Sequence, residues 1–239
     1  MGSKRKMFLK LMGKMIRHPI WTIKHLTPEN VRKFKKYSKS EGLARALERT
    51  DVYQSNNADI EYAKTLDLIS MKPHDEYPIL EFPKFRKVKV SIVIPVYNQF
   101  SYTYGCLAMI LKNAGDVPYE VIIGDDCSTD ETKDILACVK NIKVARPKEN
   151  CRFLLNCNNA AKKASGEYIY FLNNDTNVQP GFLTSLVETI ESDPTIGMVG
   201  SKLVYPNGML QEAGGILWKD GSAWNYGYKG DANASEYNY

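Results

Sequence analysis

Between Lys89 and Leu172 the chain alternates short β-branched runs with segments of helical periodicity, and this alternation restricts the possible folds most. Val90, Ile92, Val93, Ile94 and Val96 form a nearly continuous apolar run, the pattern of a strand covered on both faces in a parallel sheet. Tyr104, Leu107, Ala108 and Leu111 follow at helical spacing after Ser101, and Val121, Ile122 and Ile123 supply a second strand. Ser128-Thr129-Asp130-Glu131 reads as a capping box that opens a helix carrying Ile135, Leu136 and Val139. A short strand at 142–145 precedes a helix with Phe153, Cys157, Ala160, Ala161 and Ala164 on one face, which Gly166 stops; 168–172 is another strand. The order βαβαβαβ predicts an α/β fold, a mostly parallel sheet flanked by helices. Pro180-Gly181 then starts a helix with Phe182, Leu183, Leu186, Val187 and Ile190. Segment 198–205, a Pro206-Asn207-Gly208 reversal into 209–218, and a further turn at Asp220-Gly221 complete the pattern.

The N-terminal part has a different character. Residues 1–50 hold 14 Lys and Arg against 3 Asp and Glu, so the net charge of +5 belongs to this segment and the rest is acidic. Residues 4–17 place Phe8, Leu11, Met12, Met15 and Ile16 opposite Lys4, Arg5, Lys6, Lys10, Lys14 and Arg17. Such a basic amphipathic helix suits peripheral contact with an anionic membrane or docking on protein with its charges solvated. A second helix starts at Thr27-Pro28, and about 51–87, with Pro73, Pro78 and Pro83, reads as a linker that wraps or leads into the core. The expected division is a basic helical extension and linker over 1–89 and an α/β domain over 90–239.

Several functions are disfavoured by what is missing. No apolar run reaches the length of a membrane span and no signal-peptide pattern is present, which leads us to expect a cytoplasmic protein, at most at the inner face of the membrane. The five cysteines (Cys106, Cys127, Cys138, Cys151, Cys157) contain no CxxC pair and read as small apolar residues in a reducing compartment. His18, His25 and His74 all precede the α/β core, so Ser-His and Cys-His nucleophile pairs lack a partner inside it. No GxGxxG follows the first strand and no GxxxxGK[ST] occurs, which disfavours dinucleotide and P-loop cradles. The basic segment lacks aromatic interleaving, and no nucleic-acid partner is expected.

In open α/β sheets ligands bind beyond the carboxyl ends of the strands. Here those ends deliver Pro95-Val96-Tyr97-Asn98, Asp125-Asp126 and Asn173-Asn174-Asp175 to one rim. Taken singly, 125–130 reads as a turn with a helix cap and 173–177 as an Asx-rich turn; their shared edge points to a site. Three aspartates would repel a phosphate unless a divalent cation stood between, and Mg2+ or Mn2+ held by one or two carboxylates and the substrate's phosphates meets that need. Tyr97 can pack on a base whose hydrogen bond Asp126 accepts.

These residues carry a resemblance. Val90-Ser91-Ile92-Val93-Ile94-Pro95-Val96-Tyr97-Asn98, Asp125-Asp126-Cys127-Ser128-Thr129-Asp130, Ala164-Ser165-Gly166-Glu167-Tyr168-Ile169 and Phe171-Leu172-Asn173-Asn174-Asp175-Thr176, in this order and spacing, resemble the inverting nucleotide-sugar glycosyltransferases of family 2. The likeness runs from about Val90 to the C-terminus. Val199-Gly200-Ser201-Lys202-Leu203 and Gln211-Glu212-Ala213-Gly214-Gly215 are similar to bacterial members, including rhamnosyltransferase-like proteins, that build cell-surface polysaccharides. The resemblance implies the Rossmann-like GT-A fold, a UDP- or dTDP-sugar donor and a glycan or lipid-linked acceptor. It implies that Pro95, Tyr97 and Asp126 line the nucleotide pocket, that Asp175 is the metal ligand of a DxD-type motif whose first acidic position is here Asn173 or Asn174, and that Asn174 bonds the ribose. Arg152-Phe153 stands where many members carry Gly-Phe, and arginine there contacts the nucleotide in some. The general base and much of the acceptor site of the family lie downstream, in a segment this sequence is expected to lack. Glu212, Asp220 and Asp231 match no motif for that role. The alternative reading is a non-catalytic nucleotide-sugar-binding or membrane-docked scaffold.

Overall fold

The computed structural model describes residues 61–72 and 76–238. The expected helices at 4–17 and Thr27-Pro28 lie outside the described residues. Among the described residues no helix is long and apolar enough to cross a membrane.

The core is a four-stranded parallel sheet in the order β5-β3-β2-β6. The elements in chain order are β1 (Leu80–Glu81), β2 (Val90–Val96), α1 (Phe100–Asn113), β3 (Tyr119–Asp125), β4 (Val139–Lys140), β5 (Lys143–Ala145), α2 (Arg152–Ala161), β6 (Tyr168–Phe171) and α3 (Phe182–Ser192). Short strands follow: β7 (Leu203–Val204), β8 (Leu210–Glu212), β9 (Gly215–Leu217) and β10 (Ala223–Asn225). Every residue of β2 is buried, as its unbroken apolar run requires of a central strand. Ile92, Ile94, Val121 and Ile123 face a core shared with Leu107 and Ile110 of α1 and Leu183 of α3. The opposite face, Val93, Ile122 and Ala145, packs on Ala160 of α2. Burying each large side chain fully is worth roughly 1.5–3 kcal/mol. Helices on both faces of a parallel sheet confirm the expected α/β layering.

The chain lays down β2, β3 and β5 in one direction and then returns to place β6 on the other side of β2. The reversal of strand order thus falls between β2 and β6, and their carboxyl ends open the crevice in which such sheets bind ligands.

Local details depart from the sequence expectations for non-local reasons. The segment after β3 is a 3-10 helix over Glu131–Ala137, capped by Asp130, which accepts from Thr132 N–H. Ser128 is not the cap, because its hydroxyl accepts from the N–H of Asn98 at 2.8 Å. Val139 belongs to β4, which pairs with β1 rather than continuing a helix. α2 ends at Ala161, before Gly166. Gly166 instead lies against β2: a Cβ there would come within 2.7 Å of the Ser91 nitrogen. Phe153 is exposed rather than on the buried face of α2. In 198–205 only Leu203–Val204 is strand, and 209–218 divides into β8 and β9.

The compact unit containing the sheet begins at Glu61, not after Lys89. Gln179 brackets Asp67, donating to its carbonyl and accepting from its N–H at 2.9 Å each, and Ile69 N–H donates to Asn177 Oδ1 at 2.8 Å. Phe82 is buried in the main core, and Tyr104 OH donates to Pro78 O. Residues 61–72 and 76–89 therefore belong to the packed unit, where the proline-rich composition suggested a linker.

Candidate functional site

The carboxyl ends of β2 and β3 are tied together by side chains. Asn98, just past β2, accepts from Thr129 N–H at 2.8 Å while its own N–H donates to Ser128 Oγ. Asp130 accepts from Phe100 N–H at 3.1 Å, joining the start of α1 to the loop after β3. Burial pushes the Asp130 carboxyl up, but hydrogen bonds from Thr132 and from the N–H groups of Phe100 and Gln99 outweigh it and hold the group below its ordinary value.

Asp125 is 1% exposed. It accepts from Ser128 N–H and forms an ion pair with Arg146, which also donates to Ser128 O at 2.8 Å. This aspartate is committed to the scaffold. Arg146 carries no sequence signal of this role, since one arginine after a three-residue strand forms no motif.

Asp126, 4% exposed, sits at the N-terminus of α2. The N-cap residue Cys151 makes no side-chain capping bond. The Asp126 carboxylate takes that place, accepting from the N–H groups of Cys151 and Arg152 at 2.8 Å each and from the Cys151 thiol at 3.3 Å. Desolvation, and then the adjoining Asp126 carboxylate, push the Cys151 thiol up from its ordinary value.

Four of the six non-glycine residues with positive φ among the described residues lie here: Asn98, Gln99, Cys127 and Arg152. Left-handed backbone outside glycine costs about 1–2 kcal/mol and persists where the surroundings impose it, commonly at ligand sites. Arg152 has φ 66, a conformation that glycine adopts without strain.

Across the crevice, the β6 end is looser. Asn174 donates its amide to Thr103 Oγ1 of α1 at 3.0 Å, so this side chain is anchored to the helix. Asp175 is exposed, and among the described residues no hydrogen bond or ion pair engages its carboxylate. Beneath it, burial pushes the Cys106 thiol up to about 12, with bonding to Thr176 opposing and the Asp175 charge reinforcing the shift. On the β2 side of the same crevice Pro95 is buried and Tyr97 is 56% exposed. The structure therefore gathers Pro95, Tyr97, Asp126, Arg152, Asn174 and Asp175 along one edge of the sheet. Among the described residues no group of three or more His, Cys, Asp or Glu is arranged to hold a metal ion.

The sequence model of glycosyl transferase family 2 matches residues 91–234, more than half of the chain. The O-antigen biosynthesis protein RfbC of Myxococcus xanthus is 32% identical over 151 residues, covering 62% of this chain and 11% of that protein. The putative teichuronic acid biosynthesis glycosyltransferase TuaG of Bacillus subtilis is 31% identical over 127 residues, covering 51% of this chain and 50% of that protein. Among solved structures, S. aureus TarS 1-349 in complex with UDP-GlcNAc has 30% identity and a TM-score of 0.39, covering 44% of this chain and 32% of that one. The chain spans half or less of the length of each of these proteins. Since that family model spans residues 91–234, the chain belongs to glycosyl transferase family 2.

Proposed function

We propose that this chain binds a nucleotide-diphosphate sugar and forms the donor side of an enzyme that transfers the sugar, with inversion and metal assistance, to a glycan of a cell-surface polysaccharide. The observation that carries the reading is Asp175, an exposed carboxylate engaged by no described residue, at the switch point of a family 2 fold. The biosynthetic names of the two sequence relatives, O-antigen and teichuronic acid, support the polysaccharide class.

The residues divide the work by position. Tyr97 offers an exposed ring to the base. Asp126, already holding the start of α2, retains one lone pair, on Oδ2, for a base N–H. Arg152 is exposed at the start of α2, where its guanidinium suits a diphosphate. Asn174, fixed by Thr103, orients the loop that presents Asp175. A single carboxylate supplemented by substrate phosphates is an ordinary donor set for Mg2+ or Mn2+, and Asp175 fits it. The ion would neutralise charge on the departing diphosphate. Inversion also needs a carboxylate to take the acceptor's proton. Downstream, Asp220 accepts from Ser222, and Asp231 from Asn233 N–H, so each is occupied within its own turn.

Calorimetric titration of UDP- and dTDP-sugars with and without Mn2+ tests the reading. Binding should require the metal and vanish in Asp175→Ala. Equal binding by the variant, or binding indifferent to chelator, would overturn it.

A further inference from the structure

Two of the chain's three tryptophans stand on one hairpin, Trp218 at 57% and Trp224 at 47% exposure. β9 and β10 pair antiparallel, Leu217 with Ala223, Ile216 with Trp224 and Gly215 with Asn225. Trp218 N–H donates to Ser222 O at 2.9 Å, which carries the ladder one pair further, and Gly221 N–H donates to Trp218 O at 3.0 Å to close the turn. Gly221 has φ 81, the left-handed residue that a three-residue hairpin loop requires. Side chains alternate along a strand and cross-strand partners share a face, so Ile216, Trp218, Ser222 and Trp224 line one face and Leu217 and Ala223 the other. Trp218 and Trp224 are diagonal neighbours on that face, with backbones about 7–8 Å apart.

Tryptophan is highly buried on average, so two indoles on one solvent-facing strand pair mark a surface with a ligand. Ser222 on the same face and Lys219 and Asp220 at the hairpin tip are all exposed and polar. Flat apolar rings set among hydrogen-bonding side chains match a pyranose, which has a C–H face to lie on indole and hydroxyls at its edge to bond. A lipid surface matches less well, because Lys219 and Asp220 at the hairpin tip would enter the bilayer with the indoles.

We propose that the β9–β10 hairpin is a glycan-binding platform on which Trp218 and Trp224 each stack one pyranose ring of the acceptor. The glycan's role as acceptor rests on the glycosyltransferase reading above; the binding of a glycan follows from the hairpin surface.

The full chain is titrated with gluco-, manno-, N-acetylgluco- and rhamno-configured tetrasaccharides, following tryptophan fluorescence and heat. At least one should bind, and Trp218→Ala and Trp224→Ala should each weaken it about tenfold, the scale of one aromatic contact. Trp224→Phe, which keeps a ring, should recover part of the loss, and Leu217→Ala on the opposite face should bind as the parent does. The platform is overturned if no tetrasaccharide binds or if the alanine variants bind unchanged. It is equally overturned if those variants instead lose self-association or co-sedimentation with phosphatidylglycerol vesicles. Nucleotide-sugar titrations of the same samples separate the two readings. Glycan binding without nucleotide-sugar binding sinks the enzyme, and the reverse sinks the platform.

Discussion

β3 and β6 both deliver aspartates to the carboxyl edge of the sheet, and the protein treats them in opposite ways. At the β3 end, Asp125 and Asp126 are buried, and backbone N–H groups, a thiol and Arg146 converge on them. At the β6 end Asp175 faces solvent with its carboxylate unengaged by any described residue. A buried carboxylate persists only when it is satisfied, so both members of the β3 pair carry bonds that hold the fold, whatever else Asp126 binds. An exposed one that holds nothing is available to a ligand. The same residue type, past the carboxyl ends of the two strands that flank β2, is thus bound into the fold on one side of the crevice and left open to solvent on the other.

The most severe way to test this contrast is Arg146→Met. It would leave the buried Asp125 with its Ser128 N–H bond alone, and since Arg146 is itself 39% exposed the expected cost is about 2–3 kcal/mol, less than for a fully buried pair. Urea denaturation should show a loss on that scale, and adding Asp125→Asn should recover a large part of it. A loss below about 1 kcal/mol would make the pair equivalent to an exposed ion pair and dissolve the distinction between the two ends.

A milder comparison sets the two ligand candidates side by side. Asp126→Ala removes the carboxylate that caps α2 and should cost about 1–2 kcal/mol. Asp175→Ala should leave stability within about 0.5 kcal/mol of the parent, as for other exposed substitutions. Equal destabilisation by both, read from denaturation midpoints at constant slope, would mean that Asp175 is also part of the scaffold.

What the sequence disclosed follows the same divide between local and distant causes. The run from Val90 to Val96 and the spacing of Tyr104, Leu107 and Leu111 are local consequences of burial, and both elements stand where that pattern placed them. The rim aspartates were legible because each follows a strand. Arg146 was not, since its meaning depends on a carboxylate 21 residues earlier. Ser128 looked like a helix cap from its neighbours alone; Asn98, 30 residues away, claims its hydroxyl and leaves Asp130 to cap. Residues 67–69 read as linker because nothing nearby shows that Asn177 and Gln179 will hold their backbone.

The smallest effect concerns acid. Asp130 ties α1 to the loop after β3 and has a folded pKa below its ordinary value of 3.8, because hydrogen bonds from Thr132, Phe100 and Gln99 outweigh the upward push of burial. A depressed carboxyl stabilises the fold above its unfolded pKa and ceases to do so as pH falls through the folded one. Glu120 behaves likewise: burial pushes it up, yet Lys143, Ser165 and Ser91 together bring it below its ordinary 4.5. Thermal midpoints measured from about pH 5 down to about pH 3 should therefore fall on the acid side. Asp130→Asn keeps an acceptor oxygen for the cap but removes the charge, so its curve should start lower and fall less steeply. Parallel curves for variant and parent would show that the Asp130 charge adds nothing to the β3 end. The contrast with β6 would then rest on Asp125 and Asp126 alone.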